Sequence, residues 1–500
     1  MKLELLTPDE MGRADNLAIE EGPADGMALM RRAGEAVADA VMNEFPEAHS
    51  VDVLCGPGNN GGDGYVTASV LSRAGIDVQI WTQGSPRAGS DALLAADACP
   101  ISRRDLEDYQ PRAYSVVVDA LYGAGLQRPL EGAAARAAKL VASAGLPVVS
   151  IDLPSGLSGL TGRALGPVFQ ATTTVTFVRK KIGHLLYPGR ALCGKLLVRD
   201  IGISDRIVKA TGSTTFENLP ALWSAVLLQP GYDSYKYSRG HVGVFSGGPA
   251  STGAARMSAM AAARAGAGAV TMLSPASALA VNAAHLTSII LRRIDGARDV
   301  EAFIEERNPA AFVIGPGLGA TPETSALVEA VLAPRSEVMT VLDADALTII
   351  SGASAKWFSI LKTRVAPAAV LTPHEGEFRR LFPDIYSDGQ LSKLEKARLA
   401  AARSNSVVVY KGPDTVISDA QGRAAINTNG SPLLASAGSG DVLAGIIAGF
   451  ASQGMPSFEA ACAAVWAHAE AASIHGPGLI AEDLPSMLPK VLTQLFQRAP

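Results

Sequence analysis

Short β-branched runs alternate with helix-forming stretches through almost the whole chain, and the alternation begins twice. From residue 51 it reads VDVLC, YVTASVLSRAG, DVQIWT, SVVVDALYGAG, PVVSIDLPSG, TTVTFV and LLVRDIGI. It starts afresh at VGVFSGG and continues through AVTML, AFVIGPGLG, VMTVLDADAL, AAVLTPHEGEF and VVVYKGPDTVI. Strands each followed by a helix lie parallel, because the crossover helix carries the chain back to the same end of the sheet. The second start therefore implies a second α/β unit, and 500 residues exceed what one ordinary core holds.

Residues 1–45 read as two helical segments separated at Pro23 and Gly26, a helical preface to the first sheet. The small, polar stretch TGSTTFENLP at 211–220 interrupts the rhythm as a linker would. The expected division is 1–215, a linker at 216–224, and 225–500. A net charge of -5 leaves no basic footprint for nucleic acid or an acidic membrane. Cys55, Cys99, Cys193 and Cys462 lack CxxC spacing, which argues against a zinc site or disulfide framework and suits a reducing compartment. The N-terminal MKLELLTPDE carries acids where a signal peptide needs an apolar run, so a soluble cytoplasmic protein is expected.

The glycine loop GPGNNGGDG, 56–64, follows the first strand and precedes a helix, as a dinucleotide phosphate cradle does. The second strand, DVQIWTQGSP, offers no acidic residue to hold a ribose, which weakens a hydride-transfer reading. Asn59, Asn60 and Asp63 supply oxygens suited to a hard cation or a polar substrate. Asp119 before LYGAGLQRP, and Asp152 with Ser155 in DLPSG, stand at later strand ends. Loops at the carboxyl edge of a parallel sheet converge on one crevice, although each of these polar clusters also suits an ordinary turn.

GPGNNGGDG, VVDALYGAGL, DLPSG and KLLVRDIGI together resemble the NAD(P)H-hydrate epimerase family across nearly all of residues 1–210. The resemblance implies a Rossmann-like three-layer domain that interconverts the R and S forms of hydrated NADH or NADPH (NADHX and NADPHX) beside a potassium ion. It implies potassium contacts from Asn60, Asp119 and Ser155. Substrate contacts follow from Asn59, Asn60, Gly61, Gly62 and Asp63, from Gly123, Ala124, Gly125, Leu126, Gln127, Arg128 and Pro129, and from Asp152. The chemistry needs a group that takes or returns a proton near the hydrated carbon, and Asp152 is the expected catalytic carboxylate. MRRAG at 30–34 departs from relatives, which more often carry an acid or amide before the second arginine.

In the second half, ASAGSGDVLAGIIAGF at 435–450 is a small-residue turn feeding an apolar helix. Gly438, Ser439 and Gly440 leave backbone N–H groups open at the helix start, where the dipole favours a phosphoryl group, and Asp441 can accept the proton of an attacking hydroxyl. An aspartate capping its own helix explains Asp441 but not the glycines ahead of it. KGPDTVI, GPGLG and TPHEGEF, with His374, Glu375 and Glu377, each follow a strand.

In this order, and opened by KYSRGHVGVFSGGPASTGAA, these motifs resemble the ADP-dependent NAD(P)H-hydrate dehydratase branch of the ribokinase-like family over roughly 225–500. The resemblance implies a ribokinase-like α/β domain in which Ala254, Gly317, His374 and Asp441 contact the hydrated nucleotide. It assigns Lys411, Gly412, Pro413, Asp414, Thr415 and Gly440 to ADP or AMP, with magnesium at the phosphates and Glu377 as an indirect ligand. Phosphorylation by ADP and loss of phosphate would restore NAD(P)H and leave AMP. Two other readings fit parts of the pattern: a hydroxymethylpyrimidine or hydroxyethylthiazole-type kinase using the same GSGD turn, and a non-catalytic first half that binds nucleotide or protein. The expected partners are the hydrates, ADP and further copies of the same chain.

Overall fold

The computed structural model of the protein describes residues 2–22, 25–236, 238–333, 338–364 and 369–498. Pro23, one of the expected helix separators, lies outside them. The chain divides into two compact units, Lys2–Thr215 and Phe216 onward. Among the described residues no helix is long and apolar enough to cross a membrane.

The first unit holds seven strands: β1 Ser50–Cys55, β2 Asp77–Thr82, β3 Arg103–Asp105, β4 Val116–Ala120, β5 Val148–Ile151, β6 Thr173–Phe177 and β7 Lys195–Arg199. They form one parallel sheet in the order β3-β2-β1-β4-β5-β6-β7. Runs such as VVVDA and TTVTF are buried at every position because helices cover both faces of a parallel sheet. The chain builds outward from β1 and then restarts on its other side at β4. That reversal opens a crevice beyond the carboxyl ends of β1 and β4, between the Gly56 loop and the Leu121 loop. Helices Pro8–Glu21 and Gly26–Glu44 form the preface, and their Met11, Ala14, Ala18, Val37 and Val41 join the core on β1, β4 and β6.

The second unit repeats the device. Its strands are β8 Thr215–Asn218, β9 His241–Phe245, β10 Ala269–Ser274, β11 Ile290–Arg293, β12 Ala311–Ile314, β13 Met339–Leu342, β14 Val370–Leu371, β15 Val407–Tyr410, β16 Val416–Ser418 and β17 Ala424–Asn427. The sheet order is β11-β10-β9-β12-β13-β14-β15-β16-β17-β8, parallel from β11 to β15 and antiparallel across β15, β16 and β17. The reversal here lies between β9 and β12. Helix Ser439–Ser452 packs closely on helix Thr252–Arg264, since a Cβ at Gly445 would stand 2.1 Å from the Ser258 carbonyl oxygen. The alanine-rich helices are thus buried ones, as their composition suggests.

The expected linker at 216–224 is instead built into this unit. Residues 216–218 belong to edge strand β8, the Asn218 amide donates to Asn427 Oδ1 and the Cys462 carbonyl, and Trp223 is buried with its Nε1–H on Asn218 Oδ1. Small polar residues here serve an edge strand, whose composition mimics that of a connector.

Candidate active sites

Asp152 follows β5 directly and adopts φ 62, a left-handed conformation that a side chain rarely takes. The turn aims its carboxylate inward. Oδ1 receives Thr176 Oγ1 at 2.9 Å and the Lys181 ammonium at 2.7 Å, while Oδ2 accepts the Ala124 N–H at 3.0 Å. Burial pushes the group up, but Lys181, His184 and these donors outweigh it and hold the carboxyl at about 2. The His184 ring fixes the turn from behind: Nδ1 accepts the Lys181 N–H at 2.8 Å, so the proton sits on Nε2 and is donated to the Asp152 carbonyl at 2.7 Å. Burial and the neighbouring lysine push that imidazole down to about 4, so it stays neutral.

A cavity of about 950 Å³ opens over this carboxylate. Of the expected contacts, Asn59, Asn60, Asp63, Asp152 and the whole loop Gly123–Arg128 line it. Gly61, Gly62 and Pro129 do not. Gly61 is a packing residue, because a Cβ there would lie 1.9 Å from the Gly56 carbonyl oxygen, and Gly62 abuts Met30. Gly56 in turn meets the Leu121 carbonyl, whereas Gly58 has nothing within 4 Å and faces open space. The glycines therefore serve two needs, tight backbone packing and access.

Asp119 and Ser155 lie beneath the cavity floor. The Asp119 carboxylate accepts Ser155 Oγ at 2.6 Å, Ser155 N at 2.8 Å and Ser150 Oγ at 3.0 Å, all from neutral donors, and burial raises it to about 6 despite them. Asn60 contributes a buried Nδ2 with no partner among the described residues. Arg32, in the MRRAG departure, donates to the Ile201 carbonyl at 2.9 Å and so braces a residue of the cavity wall; Arg31 is exposed. Sequence reasoning missed Lys181, His184 and Thr176, which come from β6 and the turn after it.

The second cleft gathers at the carboxyl ends of β9, β12, β13, β14 and β15. Gly438 caps helix Ser439–Ser452 with φ 90, and Asp441 sits in the first turn with its carbonyl accepting Ser258 Oγ at 2.8 Å. The Lys411 ammonium lies 3.1 Å from Asp343 Oδ1 and 3.9 Å from Glu377 Oε2, and beside the Gly440 Cα. Burial raises Asp441 to about 6, Asp343 adds to the rise, and Lys411 opposes it. Glu377 is raised by the same burial. Burial would lower Lys411, yet the acids around it, Asp343 first, hold its ammonium charged. Gly317, at φ 64, stands against the Ser251 carbonyl and the Ala254 methyl, so those two expected contacts do come together. Asp345 ties the same loop by accepting the Gly319 N–H at 2.7 Å.

Three expected residues have structural work. His374 caps its helix, with Nδ1 accepting the Gly376 N–H at 3.0 Å while Glu377 accepts the His374 N–H at 2.8 Å, and its ring is exposed. Asp414 pairs with Lys393 at 2.6 Å, and Thr415 Oγ1 accepts the Gly412 N–H at 3.2 Å; both side chains shape the loop that carries Lys411. Asp343 and Asp345 were unassigned from sequence, although an aspartate directly after a strand had already marked Asp152. His468 went unnoticed too. Its buried ring bonds to the Ser439 backbone, leaves Nε2 unpartnered, and is pushed down to about 4 by burial.

Residues 242–495 match the family model described as NAD(P)H-hydrate dehydratase, and 26–183 match the model for the YjeF-related protein N-terminus. The bifunctional NAD(P)H-hydrate repair enzyme Nnr of Moorella thermoacetica is 36% identical over 527 residues, covering 98% of this chain and 97% of the relative. That of Thermofilum pendens is 34% identical over 511 residues, covering 97% and 95%. A solved ADP/ATP-dependent NAD(P)H-hydrate dehydratase from Bacillus subtilis, co-crystallized with ATP/Mg2+, is 28% identical with a TM-score of 0.48, covering 56% of this chain and 98% of that one.

Proposed function

The chain belongs to the bifunctional NAD(P)H-hydrate repair enzymes, and from that premise we propose which residues carry each of its two reactions. It is an epimerase of NAD(P)H hydrates joined to a nucleotide-dependent dehydratase of the same hydrates. The kinase alternative loses its ground, since the likeness to repair enzymes runs through both units. A dehydratase that accepts one epimer leaves the other behind, and an epimerase on the same chain recovers it.

In the first unit Asp152 is the base. The observation that carries this is a carboxylate kept ionised by Lys181 at 2.7 Å in the wall of a nucleotide-sized cavity. Gly123–Arg128, Asn59, Asn60 and Asp63 hold the hydrate. Asn60, Asp119 and Ser155 would hold potassium: the buried Asp119 carboxylate has only neutral donors and carries the hydroxyl of Ser155 beside it, and Asn60 would add its amide oxygen. When bound, that ion would lower the Asp119 carboxyl and fix the floor under the substrate.

In the second unit the open N–H groups at Gly440 and the Lys411 ammonium receive the phosphates of ADP, and Asp441 takes the proton of the hydrate hydroxyl as it attacks. Ala254 and Gly317 wall the hydrate, and His374 presents its ring there. Asp343, Glu377 and Asp441 against one lysine leave negative charge in excess, which suits magnesium carried in on the phosphates; it would neutralise charge on the transferring group. The test is to incubate the full chain with mixed R and S hydrates and either ADP or ATP, with potassium or sodium. Recovery of all the dihydropyridine absorbance with ADP and potassium supports the reading. A stable phosphorylated hydrate, or recovery of the S half alone, contradicts it.

A further inference from the structure

Helix Pro8–Glu21 sends a stripe of residues into the wall of the first cavity: Pro8, Met11, Gly12, Asp15 and Ile19. Their spacing follows one helical face. Asp15 is the single polar side chain in that stripe, its carboxyl is not hydrogen-bonded among the described residues, and it lies outside residues 26–183 that match the N-terminal family model. The charged groups that face it are Lys181, Asp152 and Asp63.

We infer that Asp15 is the general acid of the epimerisation, acting with Asp152 in the same cavity. This rests on Asp152 being the base. The reacting carbon bears the added hydroxyl next to the ring nitrogen. Asp15 gives its proton to that hydroxyl, the C–O bond breaks, and water leaves as the nitrogen lone pair forms a C=N bond. A solvent water then adds to the opposite face, Asp152 takes its proton, and the electron pair returns to nitrogen. One water leaves, one enters, and one proton moves from Asp15 to Asp152, so the configuration inverts with no redox change. The reverse conversion runs with the two roles exchanged.

The environment suits the assignment. Burial raises Asp15 to about 6, opposed by Lys181 and helped by Asp152, so it holds a proton that it can also release and recover near neutral pH. Asp63, in the same wall, is also raised, by burial first. Asp152, locked on Lys181, is the ionised partner.

The test uses the full chain and purified R hydrate, with the R to S ratio read by chromatography after quenching. Asp15→Asn is expected to lower kcat by about 10²-fold with little change in KM, and Asp15→Glu to restore part of it. Wild-type kcat/KM should fall as pH rises above about 6, and this limb should be absent from the residual Asp15→Asn rate. An Asp15→Asn chain with wild-type kcat, with a raised KM only, or with the limb intact overturns the inference. If that variant fails to fold, a flat wild-type profile through pH 6 overturns it and a falling one supports it. A wild-type chain that does not epimerise at all defeats the reading of the first unit instead.

Discussion

Asp152 and Asp441 are both buried carboxyl groups set where a parallel sheet hands over to a turn or helix, yet one is held at about 2 and the other raised to about 6. The difference lies in how closely each acid meets its lysine. Lys181 touches Asp152 at 2.7 Å with Thr176 and the Ala124 N–H completing the shell, while Asp15 and Asp63 face the same ammonium from beyond ion-pair distance. Lys411 instead meets Asp343 and Glu377, so burial first and then the charge of Asp343 raise Asp441, against a lysine that does not touch it. On the roles proposed above, the Asp152 pair would hold its charge ready for the hydrated carbon, and the Lys411 cluster would be completed by the phosphates and their cation.

The hardest blow to this contrast is to remove each acid. Asp152→Asn should lower epimerisation by about 10²–10⁴-fold and leave dehydration of the S hydrate intact, while Asp441→Asn should do the reverse. Rates on the separate R and S hydrates check both. A variant that loses both activities would mean that the two units do not work as independent sites.

Removing the lysines should test the two pairings. Lys181→Met leaves one buried carboxylate facing no ammonium, at about 3 kcal/mol of stability, and lets burial carry Asp152 upward from about 2. Lys411→Met likewise takes the ammonium from a buried carboxylate, Asp343, so its cost should be similar, and dehydration should fall with its acid limb moved above pH 6. Thermal melts of the two variants side by side check the sizes.

Much of this was legible in the sequence and some could not be. The two sheets, the strand-end aspartates and the GSGD turn announce themselves because each depends on local pattern: β-branched runs, a polar residue directly after a strand, and glycines before an apolar helix. Lys181 and His184 stand some distance beyond Asp152 in KKIGH, a stretch whose spacing carries no periodic signal, and only the return of β6 beside β5 brings them to the carboxylate. Asp15 looks like any charge on an amphipathic helix until the cavity shows which face it occupies. The false linker failed for the opposite reason: local composition was read correctly, and the tertiary contacts of Trp223 and Asn218 overrode it.

pH should pull the two activities apart. Asp441 must be ionised to accept a proton, so lowering pH from 7 to 5 through its value of about 6 should cut dehydration kcat/KM about tenfold. Asp152 stays ionised over that range, and epimerisation should not fall. The stability terms have opposite signs as well. Asp152, below its ordinary 3.8, stabilises the fold fully above that value and loses its contribution as pH drops through about 2. Asp441, raised above 3.8, contributes fully below it and ceases to do so as pH rises through about 6. Parallel pH profiles for the two reactions would erase the distinction drawn from the lysines.

The glycines give the mildest comparison. At Gly61 a methyl would meet the Gly56 carbonyl at 1.9 Å, a backbone atom that cannot step aside, so Gly61→Ala should cost about 1–3 kcal/mol and deform the floor of the first cavity. At Gly440 the nearest atoms to a new methyl are Lys411 Nζ at 3.4 Å and Asp343 Oδ2 at 3.8 Å, both ordinary contacts. Gly440→Ala should therefore change stability by no more than about 0.5 kcal/mol. Its effect should appear only when nucleotide binds, because the methyl projects where the phosphates approach the helix start: KM for ADP should rise severalfold while epimerisation stays unaltered. A Gly440→Ala chain with unchanged KM for ADP would move the phosphate site away from that turn, and with it the role assigned to Lys411.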